Sequence, residues 1–207
     1  MASAGVRPAT EEDMPAIVGI YIRAYGQPPW NERHDPVSSE GYLRWVMDTP
    51  GTRCLVATEA RAVGEGSGTG GTGGAVTGFI LAGPREYEQF VQDWERLAEQ
   101  PAAGWPAIPG RLGYIWEIAV EPVAQRRGHG TSLLGAAIEM LRQQGVDTVV
   151  LRSSERAAAA IGLYRRFGFR RLPVQERLDP LSGPWILPLA AGSAAGSAAD
   201  SAGPPAA

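Results

Sequence analysis

Hydrophobic residues recur along this chain with two spacings, one typical of helices and the other of strands. The first predicted helix begins after Thr10, which stands at capping-box spacing from the acidic Asp13. One face of this helix carries Ile17, Ile20, Tyr21 and Ala24. A second helical stripe, later in the chain, consists of Leu134, Ala137, Ile138 and Leu141. Both stripes predict helices that pack one apolar face against a core.

The other hydrophobic runs predict a succession of strands and helices. We predict strands over 53–58, 75–81, 112–120, 148–151, 169–178 and 185–189. Further helices are predicted over 39–48, 85–100, 130–144 and 156–167. The order strand, helix, strand, helix in the second half favours parallel pairing, whereas the two early strands favour a hairpin. The expected fold class is therefore α+β, with a mixed central sheet flanked by helices.

Two segments of biased composition interrupt this pattern. Residues 64–74 are rich in glycine and lie between the two hairpin strands, so we interpret them as an enlarged hairpin loop. No helix start follows them, which argues against a phosphate-binding loop. Residues 190–207 contain no large apolar side chain and are predicted to form a disordered tail. We therefore expect one domain over 1–189, with an insert over 84–110.

The composition excludes several kinds of chemistry. All 19 basic residues of this 207-residue chain are arginine, so neither a lysine Schiff base nor a lysine-dependent phosphate loop is possible. The single cysteine, Cys54, cannot form an internal disulfide or a cysteine-built zinc cluster. The two histidines, His34 and His129, each lack a second ligand at metal spacing. No metal site is expected.

Charge and hydropathy limit the partners and the location that we expect. The formal net charge of −3 is the wrong balance for a duplex-DNA binder, so no nucleic-acid partner is expected. No apolar run approaches the roughly 20 residues that cross a membrane, and the first residues lack a hydrophobic signal region. We expect a cytoplasmic protein without a membrane partner. The arginine-only usage, with abundant alanine, glycine and proline, indicates a GC-rich bacterial genome.

The most informative stretch is the turn that follows the predicted strand over 112–120. Gly128 and Gly130 lie where a helix begins, and the first backbone N–H groups of a helix have no partner within it. Glycine removes the side chains that would keep a phosphate from these donors, and Arg126 and Arg127 add positive charge. The turn is therefore predicted to bind a pyrophosphate-like anion. The alternative is a tight strand-to-helix connection without a ligand.

Two motifs resemble those of a known family. Gln125-x-x-Gly128-x-Gly130 resembles the signature Gln/Arg-x-x-Gly-x-Gly/Ala of the GNAT N-acetyltransferase superfamily, whereas the third glycine of a dinucleotide-binding fingerprint is missing. Residues 160–169, Ala-Ile-Gly-Leu-Tyr-Arg-Arg-Phe-Gly-Phe, are similar to that family's Ala-x-x-Leu-Tyr-x-x-x-Gly-Phe. The resemblance covers residues 5–189 and implies the GNAT-like acyl-CoA N-acyltransferase fold.

The resemblance implies acetyl-CoA as co-substrate and indicates how the chain would contact it. The main chain of Ile118, Ala119 and Val120 would pair with the pantetheine arm, and a backbone N–H near Val120 would face the thioester oxygen. The residues implied to wrap the pyrophosphate, mostly through backbone donors, are Gln125, Arg126, Arg127, Gly128, His129, Gly130 and Thr131. Tyr164 corresponds to the tyrosine that protonates or hydrogen-bonds the departing thiolate. Many family members carry an asparagine where this chain has Ala157, so one coenzyme contact is expected to be missing.

Acetylation of an amine also needs a proton acceptor, because an alkylamine is mostly protonated at neutral pH and attacks only after losing a proton. Our candidate is Glu117, which lies on the predicted strand that leads into the glycine turn. Strand alternation predicts that Glu117 shares a face with Ile115 and Ala119, opposite Trp116 and Ile118. The other interpretation makes this glutamate an exposed or structurally paired strand carboxylate, and the candidate tyrosine a core aromatic.

The acceptor is marked less clearly. Residues 28–32 and the insert over 85–110 occupy positions where members of this family build acceptor sites. Their acidic residues and tryptophans suit a cationic, partly apolar amine, although they also fit a solvated helix face with packing tryptophans. These tryptophans are Trp30, Trp94 and Trp105. Glu32 is a remote alternative for the base, and Glu121 is expected to be a loop residue.

We therefore expect an acetyl-CoA-dependent N-acetyltransferase that acts on a primary amine by direct attack in a ternary complex. The acceptor is expected to be a small molecule, either a metabolite or an aminoglycoside-like antibiotic, because the long insert would narrow a peptide groove. Two alternatives stay open: a protein N-terminal or lysine acetyltransferase, and a non-catalytic acyl-CoA-binding module. Homodimers are common among proteins that resemble this one.

Overall fold

A mixed seven-stranded sheet lies at the centre of the fold. The structure, a computed structural model, describes residues 5–59, 74–98, 108 and 110–189. The strands are β1 (Gly5–Pro8), β2 (Arg53–Glu59), β3 (Ala75–Arg85), β4 (Leu112–Val120), β5 (Thr148–Ser154), β6 (Arg170–Arg171) and β7 (Ser182–Pro188). The helices are α1 (Met14–Tyr25), α2 (Pro36–Met47), α3 (Tyr87–Leu97), α4 (His129–Gln143) and α5 (Ala158–Arg166). The strand order is β1-β2-β3-β4-β5-β7-β6; β4 and β5 pair in parallel and the other neighbours pair antiparallel.

The predicted fold class is confirmed, and the differences at element ends have local causes. α2 begins at Pro36, before the predicted start at residue 39, because the Asp35 carboxylate accepts a hydrogen bond from the Ser38 N–H at 3.0 Å. Proline suits the first position of a helix, where its missing N–H costs nothing. β3 continues through Arg85, so α3 begins later than the predicted helix.

The predicted strand over 169–178 is wrong for most of its length. The structure forms only the short β6 there, and Pro173, which has no N–H to donate to a ladder, follows it closely. β7 begins at Ser182, earlier than expected, and pairs along its whole length with β5. The expectations for 190–207, for most of 64–74, and for 99–107 with Trp105 fall outside the described residues.

Helices cover both faces of the sheet. α4 and α5 pack on one face, the α4 face, against sheet residues such as Ile80 and Leu151. α1 and α2 pack on the opposite face, the α1 face, against Phe79 and Leu81, and α3 covers the part of that face near β5. Among the described helices, none combines the length and the hydropathy of a membrane span.

β4 and β5 are paired over only part of their lengths. Their parallel ladder joins residues 112–115 with residues 148–151. Beyond it, β4 continues beside β3 to Val120, while β5 continues beside β7 to Ser154. The two strands therefore part, and an opening forms in the middle of the sheet. We call this opening the split.

A bulge at Trp116 changes which face of the sheet each β4 residue occupies at the split. Leu81 of β3 pairs with Glu117, whereas the next residue of β3 pairs with Ile115, so Trp116 is an extra residue. Glu117 consequently lies on the α1 face with Leu81 and Trp116, and Ile115 lies on the α4 face. The predicted alternation is right for Ala119 but wrong for Ile115 and Trp116, because strict alternation does not count a bulged residue.

The start of α1 is fixed by a charged cluster. Asp13 accepts hydrogen bonds from both terminal nitrogens of the Arg7 guanidinium at 2.7 and 2.8 Å. It also accepts hydrogen bonds from the N–H of Thr10 at 2.8 Å and from its hydroxyl at 3.1 Å, as the capping-box spacing predicts. The hydrogen bonds from Arg7, helped by those from Thr10, lower the pKa of Asp13 to about 2. The cluster joins β1 to the first turn of α1.

We expect Asp13→Asn to lower the free energy of unfolding by about 1–2 kcal/mol near neutral pH, because an amide cannot keep the charge-assisted bonds to Arg7. A carboxyl whose pKa is lowered by folding stabilises the protein above its unfolded-state pKa, and this contribution disappears as the pH falls through the folded-state value. The difference between wild type and variant should therefore shrink between about pH 4 and about pH 2. Urea unfolding at several pH values measures it, and a constant difference would contradict the assignment.

Candidate active site

The turn between β4 and α4 leaves its backbone N–H groups free. Arg126 and Gly128 have left-handed backbone conformations, with φ of 63° and 94°. α4 begins at His129 without a side-chain cap. Within the part of the chain that the structure describes, no acceptor takes a hydrogen bond from the N–H groups of residues 128–131. These groups carry the partial positive charge of the helix N-terminus.

The space in front of these N–H groups is open. A Cβ added to Gly128 would meet no atom within 4 Å, and one added to Gly130 would make an ordinary contact with Leu163 at 3.4 Å. The positive φ of Gly128 also disfavours any other residue. Open space, free donors and the exposed Arg126 at the rim together fit a diphosphate group.

The side chain of His129 faces away from this space. It is 2% exposed, and its Nε2 lies 2.8 Å from a carboxylate oxygen of Glu59, while its Nδ1 lies 3.3 Å from the Thr77 hydroxyl. The Arg127 guanidinium lies 3.5 Å from the other oxygen of Glu59. His129 can therefore contact an anion only through its main chain. The side chains of His129 and Arg127 instead contact Glu59 and connect the turn to the end of β2.

Main-chain groups of β4 also face the split. The N–H of Glu121 donates to a carbonyl of β3 at 2.8 Å, and in an antiparallel pair the direction of these groups alternates with each residue. Ala119 therefore pairs with β3, whereas Ile118 and Val120 direct their N–H and C=O groups toward the split. The side-chain amide of Gln125 donates to the Val120 carbonyl at 3.3 Å. Ile118 and Val120 thus have main-chain groups available for a ligand, and Ala119 does not.

Two tyrosines hold Glu117 at the split. The hydroxyl of Tyr25, at the end of α1, donates a hydrogen bond to one carboxylate oxygen, and the hydroxyl of Tyr42 in α2 donates to the other at 2.7 Å. Burial raises the pKa of the Glu117 carboxyl, and the two phenol donors oppose part of that rise because they favour the charged form. A carboxyl with a raised pKa is suited to accept a proton near neutral pH.

The sequence analysis missed Tyr25 and Tyr42. Tyr25 is not among the stripe residues by which α1 was predicted, and no stripe was identified for α2. Both tyrosines meet Glu117 only through the packing of α1 and α2 on the sheet. They belong to an aromatic cluster in which the Tyr25 ring centroid lies 4.8 Å from that of Tyr21 and 5.9 Å from that of Trp30. The density of tyrosine and tryptophan beside residues 26–32, the proline-rich loop, was the available signal.

Tyr164 approaches the split from the opposite side. It lies in α5 on the α4 face, is 5% exposed, and its ring centroid is 5.8 Å from that of Phe169. Burial and then the negative charge of Glu117 raise its pKa, so the phenol keeps its proton at neutral pH. The structure therefore places Tyr164 in the apolar core and also in the wall of the cleft.

The other candidate carboxylates are already paired. Glu121 accepts three hydrogen bonds from the Arg23 guanidinium at 2.7 to 3.1 Å. Glu32 lines the cleft, where one of its oxygens lies 2.7 Å from Nε2 of His34. Across the described ranges, no three histidine, cysteine or acidic side chains are grouped so that they could hold a metal ion. Of these three candidate carboxylates, Glu117 is the one that lies at the split and accepts hydrogen bonds from uncharged donors.

A single cleft connects the turn, the split and the aromatic cluster. Its volume of about 1320 Å³ exceeds the roughly 300–1,000 Å³ of a pocket for one small ligand. The cleft is lined by the turn at one end, by β4 and β5 at the split, and by α1, the proline-rich loop and Tyr42 at the other end. It has room for two ligands that meet at the split.

Comparisons with known sequences point to one family. The model of the acetyltransferase (GNAT) family matches residues 14–169. L-methionine sulfoximine/L-methionine sulfone acetyltransferase from Pseudomonas aeruginosa is 30% identical over 190 residues, which cover 89% of this chain and 90% of that relative. Mycothiol acetyltransferase from Salinispora tropica is 34% identical over 95 residues, which cover 45% of this chain. The matched part spans only 29% of the length of that relative.

Solved structures show the same fold. The structure of yncA from Salmonella typhimurium with its cofactor acetyl-CoA has a TM-score of 0.61 at 20% identity, over 97% of this chain and 100% of that one. PH1933 from Pyrococcus horikoshii has a TM-score of 0.61 at 18% identity, over 90% of this chain and 99% of that one. The overall fold of this chain is thus shared with these structures.

We expect Gly128→Val to weaken acetyl-CoA binding about hundredfold or more, because the new side chain fills the open space and removes two or more charge-assisted hydrogen bonds. Gly41→Ala is the matched control, since its Cβ also meets no atom within 4 Å but lies in an ordinary turn of α2. Isothermal titration calorimetry measures both affinities, and melting temperatures show that both variants fold. An unchanged affinity in Gly128→Val would place the pyrophosphate elsewhere.

We expect Tyr25→Phe and Tyr42→Phe each to raise the pKa of the Glu117 carboxyl, because each removes a donor that favours the charged form. The double variant should raise it further. Carboxyl-carbon NMR of labelled glutamate, titrated with pH, reports this directly. Tyr87→Phe, on the exposed part of α3, is the control and should leave the titration unchanged. A fall in the Glu117 pKa in either variant would contradict the proposed hydrogen-bond direction.

Proposed function

This chain belongs to the acetyltransferase (GNAT) family, and we propose that it transfers the acetyl group of acetyl-CoA to a primary amine of a small molecule. The amine attacks directly, with both substrates bound. The observation that carries this proposal is that Glu117 and Tyr164 line one cleft from opposite faces of the split. A proton acceptor and a proton donor are thus available on the two sides of the reacting carbonyl.

The chain's own groups bind the coenzyme along the split. The free N–H groups of residues 128–131 bind the pyrophosphate, and Gly128 leaves room for it. The outward main-chain groups of Ile118 and Val120 hydrogen-bond the pantetheine arm, much as a neighbouring strand would. When bound, acetyl-CoA supplies the acetyl group as an activated thioester.

Glu117 takes the proton that the acceptor amine must lose before it attacks. Its raised pKa makes it a stronger base than an ordinary carboxylate, and its negative charge attracts an ammonium group. Tyr25 and Tyr42 fix the positions of the two carboxylate oxygens. The base is therefore oriented before the acceptor arrives, which lowers the entropic cost of the step.

Tyr164 holds a proton for the departing sulfur. The phenol is protonated at neutral pH because its pKa is raised. The departing thiolate, whose parent thiol has a pKa of about 8.5, is stabilised by a nearby O–H donor. The N–H of Val120 points into the split and donates to the carbonyl oxygen as negative charge develops there. Both groups are set by regular elements, α5 and β4, so little rearrangement is needed.

Two observations support a small-molecule acceptor. The relatives from Pseudomonas aeruginosa and Salinispora tropica are both named as acetyltransferases of small molecules, and the first aligns with nearly this whole chain. In this chain, Glu32, Glu117 and the aromatic rings of Tyr21 and Trp30 line the end of the cleft away from the glycine turn. Carboxylates and ring faces bind a compact cationic amine well.

A thiol-release assay with acetyl-CoA tests the proposal against amino acids, L-methionine sulfone, polyamines, aminoglycosides and peptides. We expect small amines to release CoA. Glu117→Gln should lower kcat about hundredfold or more at neutral pH, and Tyr164→Phe similarly, with acetyl-CoA Kd within about twofold of wild type. Because Glu117 must be ionised to act, wild-type kcat/KM should fall at acid pH with the titration of Glu117, and Glu117→Gln should lose that dependence.

Glu139→Gln is the matched control, because Glu139 is an exposed glutamate of α4 that is paired with Arg142 and does not line the cleft. It should keep kcat near the wild-type value. If peptides were acetylated and small amines were not, the chain would instead be a protein acetyltransferase. Coenzyme binding without thiol release for any amine, together with indifference to Tyr164→Phe, would make it a non-catalytic acyl-CoA-binding module.

A further inference from the structure

The two edges of the split carry opposite charges at matched positions. Tyr114 of β4 pairs with Val150 of β5 on the α1 face, and Arg152 lies two residues beyond Val150. Glu117 takes the corresponding second position beyond Tyr114, because the bulged Trp116 does not count in the ladder. Glu117 and Arg152 therefore lie across the split from each other, on the same face of the sheet and in the same cleft.

The Arg152 guanidinium has hydrogen-bond donors available for a ligand. Its Nε and one terminal nitrogen each donate to the Glu176 carboxylate at 2.7 Å. Glu176 is buried, whereas the Arg152 side chain is 48% exposed. Of the residues that the structure describes, none accepts a hydrogen bond from the second terminal nitrogen, Nη1. The buried carboxylate thus fixes the guanidinium, and three of its N–H donors stay free.

The phenol of Tyr114 lies near both charges. Burial raises the pKa of Tyr114, the positive charge of Arg152 lowers it, and the negative charge of Glu117 raises it. The Tyr114 phenol, near the end of the β4–β5 ladder, is therefore influenced by the charge of Glu117 on β4 and by that of Arg152 on β5. The cleft is polarised across the split, from Glu117 on β4 to Arg152 on β5.

We propose that the acceptor is a compact zwitterion, an α-amino acid or a close analogue, whose ammonium group binds Glu117 and whose carboxylate binds Arg152. The inference rests on the proposed function and names the substrate class of the same site. In the reaction Glu117 takes one proton from the ammonium group, and the N–C bond then forms as the C–S bond breaks. Tyr164 gives its proton to the departing sulfur and regains one from the acylated nitrogen, so that the products are the amide, the free thiol and a protonated Glu117. Arg152 takes no part in these steps and determines specificity.

The spacing of the two edges favours a short distance between the ligand's charges. Paired strands lie about 4.8 Å apart, and these two strands part after Ile115 and Leu151, so Glu117 and Arg152 lie beyond the last paired residues with room between them for a small group. An amine and a carboxylate on one carbon suit this arrangement. A polyamine or an aminoglycoside would bring a second cationic group against Arg152, which disfavours it by like-charge repulsion.

The test compares wild-type kcat/KM for L-α-amino acids with that for their carboxamides and for the amines that lack the carboxyl group. We expect the free carboxylate to raise kcat/KM about ten- to hundredfold, as a charge-assisted hydrogen bond does. Equal or better use of the carboxamides and simple amines would overturn the zwitterion while leaving the proposed function intact. Coenzyme binding without thiol release from any amine would overturn both.

The variant Arg152→Gln/Glu176→Gln removes the positive charge while two amides keep hydrogen bonds in the buried site, so that folding is preserved. It should abolish the preference for a free carboxylate and leave kcat for a simple amine within about threefold. Glu176→Gln alone keeps the guanidinium and should keep the preference. Arg156→Gln, which alters another cleft arginine paired with an aspartate, should also keep it. A preference that survives loss of Arg152 would overturn the assignment.

Discussion

The candidate site depends on one feature of the sheet, the parting of β4 from β5 after four paired residues. Main-chain groups in the interior of a protein need hydrogen-bond partners, so strands that part leave places where a ligand can take the role of a strand. On one side of the opening α1 packs against β3 and β4, and on the other side α5 packs against β5. The glycine turn, the proposed base Glu117 and the proposed acid Tyr164 all lie around this one gap.

Polar ties hold the glycine turn at both ends. Arg23 of α1 grips Glu121 at the end of β4, and Glu59 at the end of β2 holds the buried His129 at the start of α4. Between these anchors the left-handed conformation of Arg126 is costly in isolation, whereas that of Gly128 is not, and the surrounding contacts fix both. The free backbone N–H groups of residues 128–131 therefore belong to a rigid turn. Binding an anion there requires little reordering of the chain.

Local features of the site could be predicted from the sequence, whereas features that depend on distant pairing could not. The glycine turn follows from a strand, two glycines and a helix start within twenty residues of one another, and the capping at Thr10 is equally local. The prediction that Glu117 shares a face with Ile115 and lies opposite Trp116 was wrong, because the bulge at Trp116 exists only in the pairing of β4 with β3. Tyr25 and Tyr42 were missed because they reach Glu117 from two helices far away in the chain.

The split opens to both faces of the sheet, and this divides the protein into two parts that can diverge separately. The α4 face carries the turn and Tyr164, the groups that we propose for the coenzyme. The α1 face carries the proline-rich loop and the aromatic rings, which would contact an amine. We therefore expect substitutions among those rings to change the preferred acceptor over evolutionary time without disturbing the proposed diphosphate site on the other side.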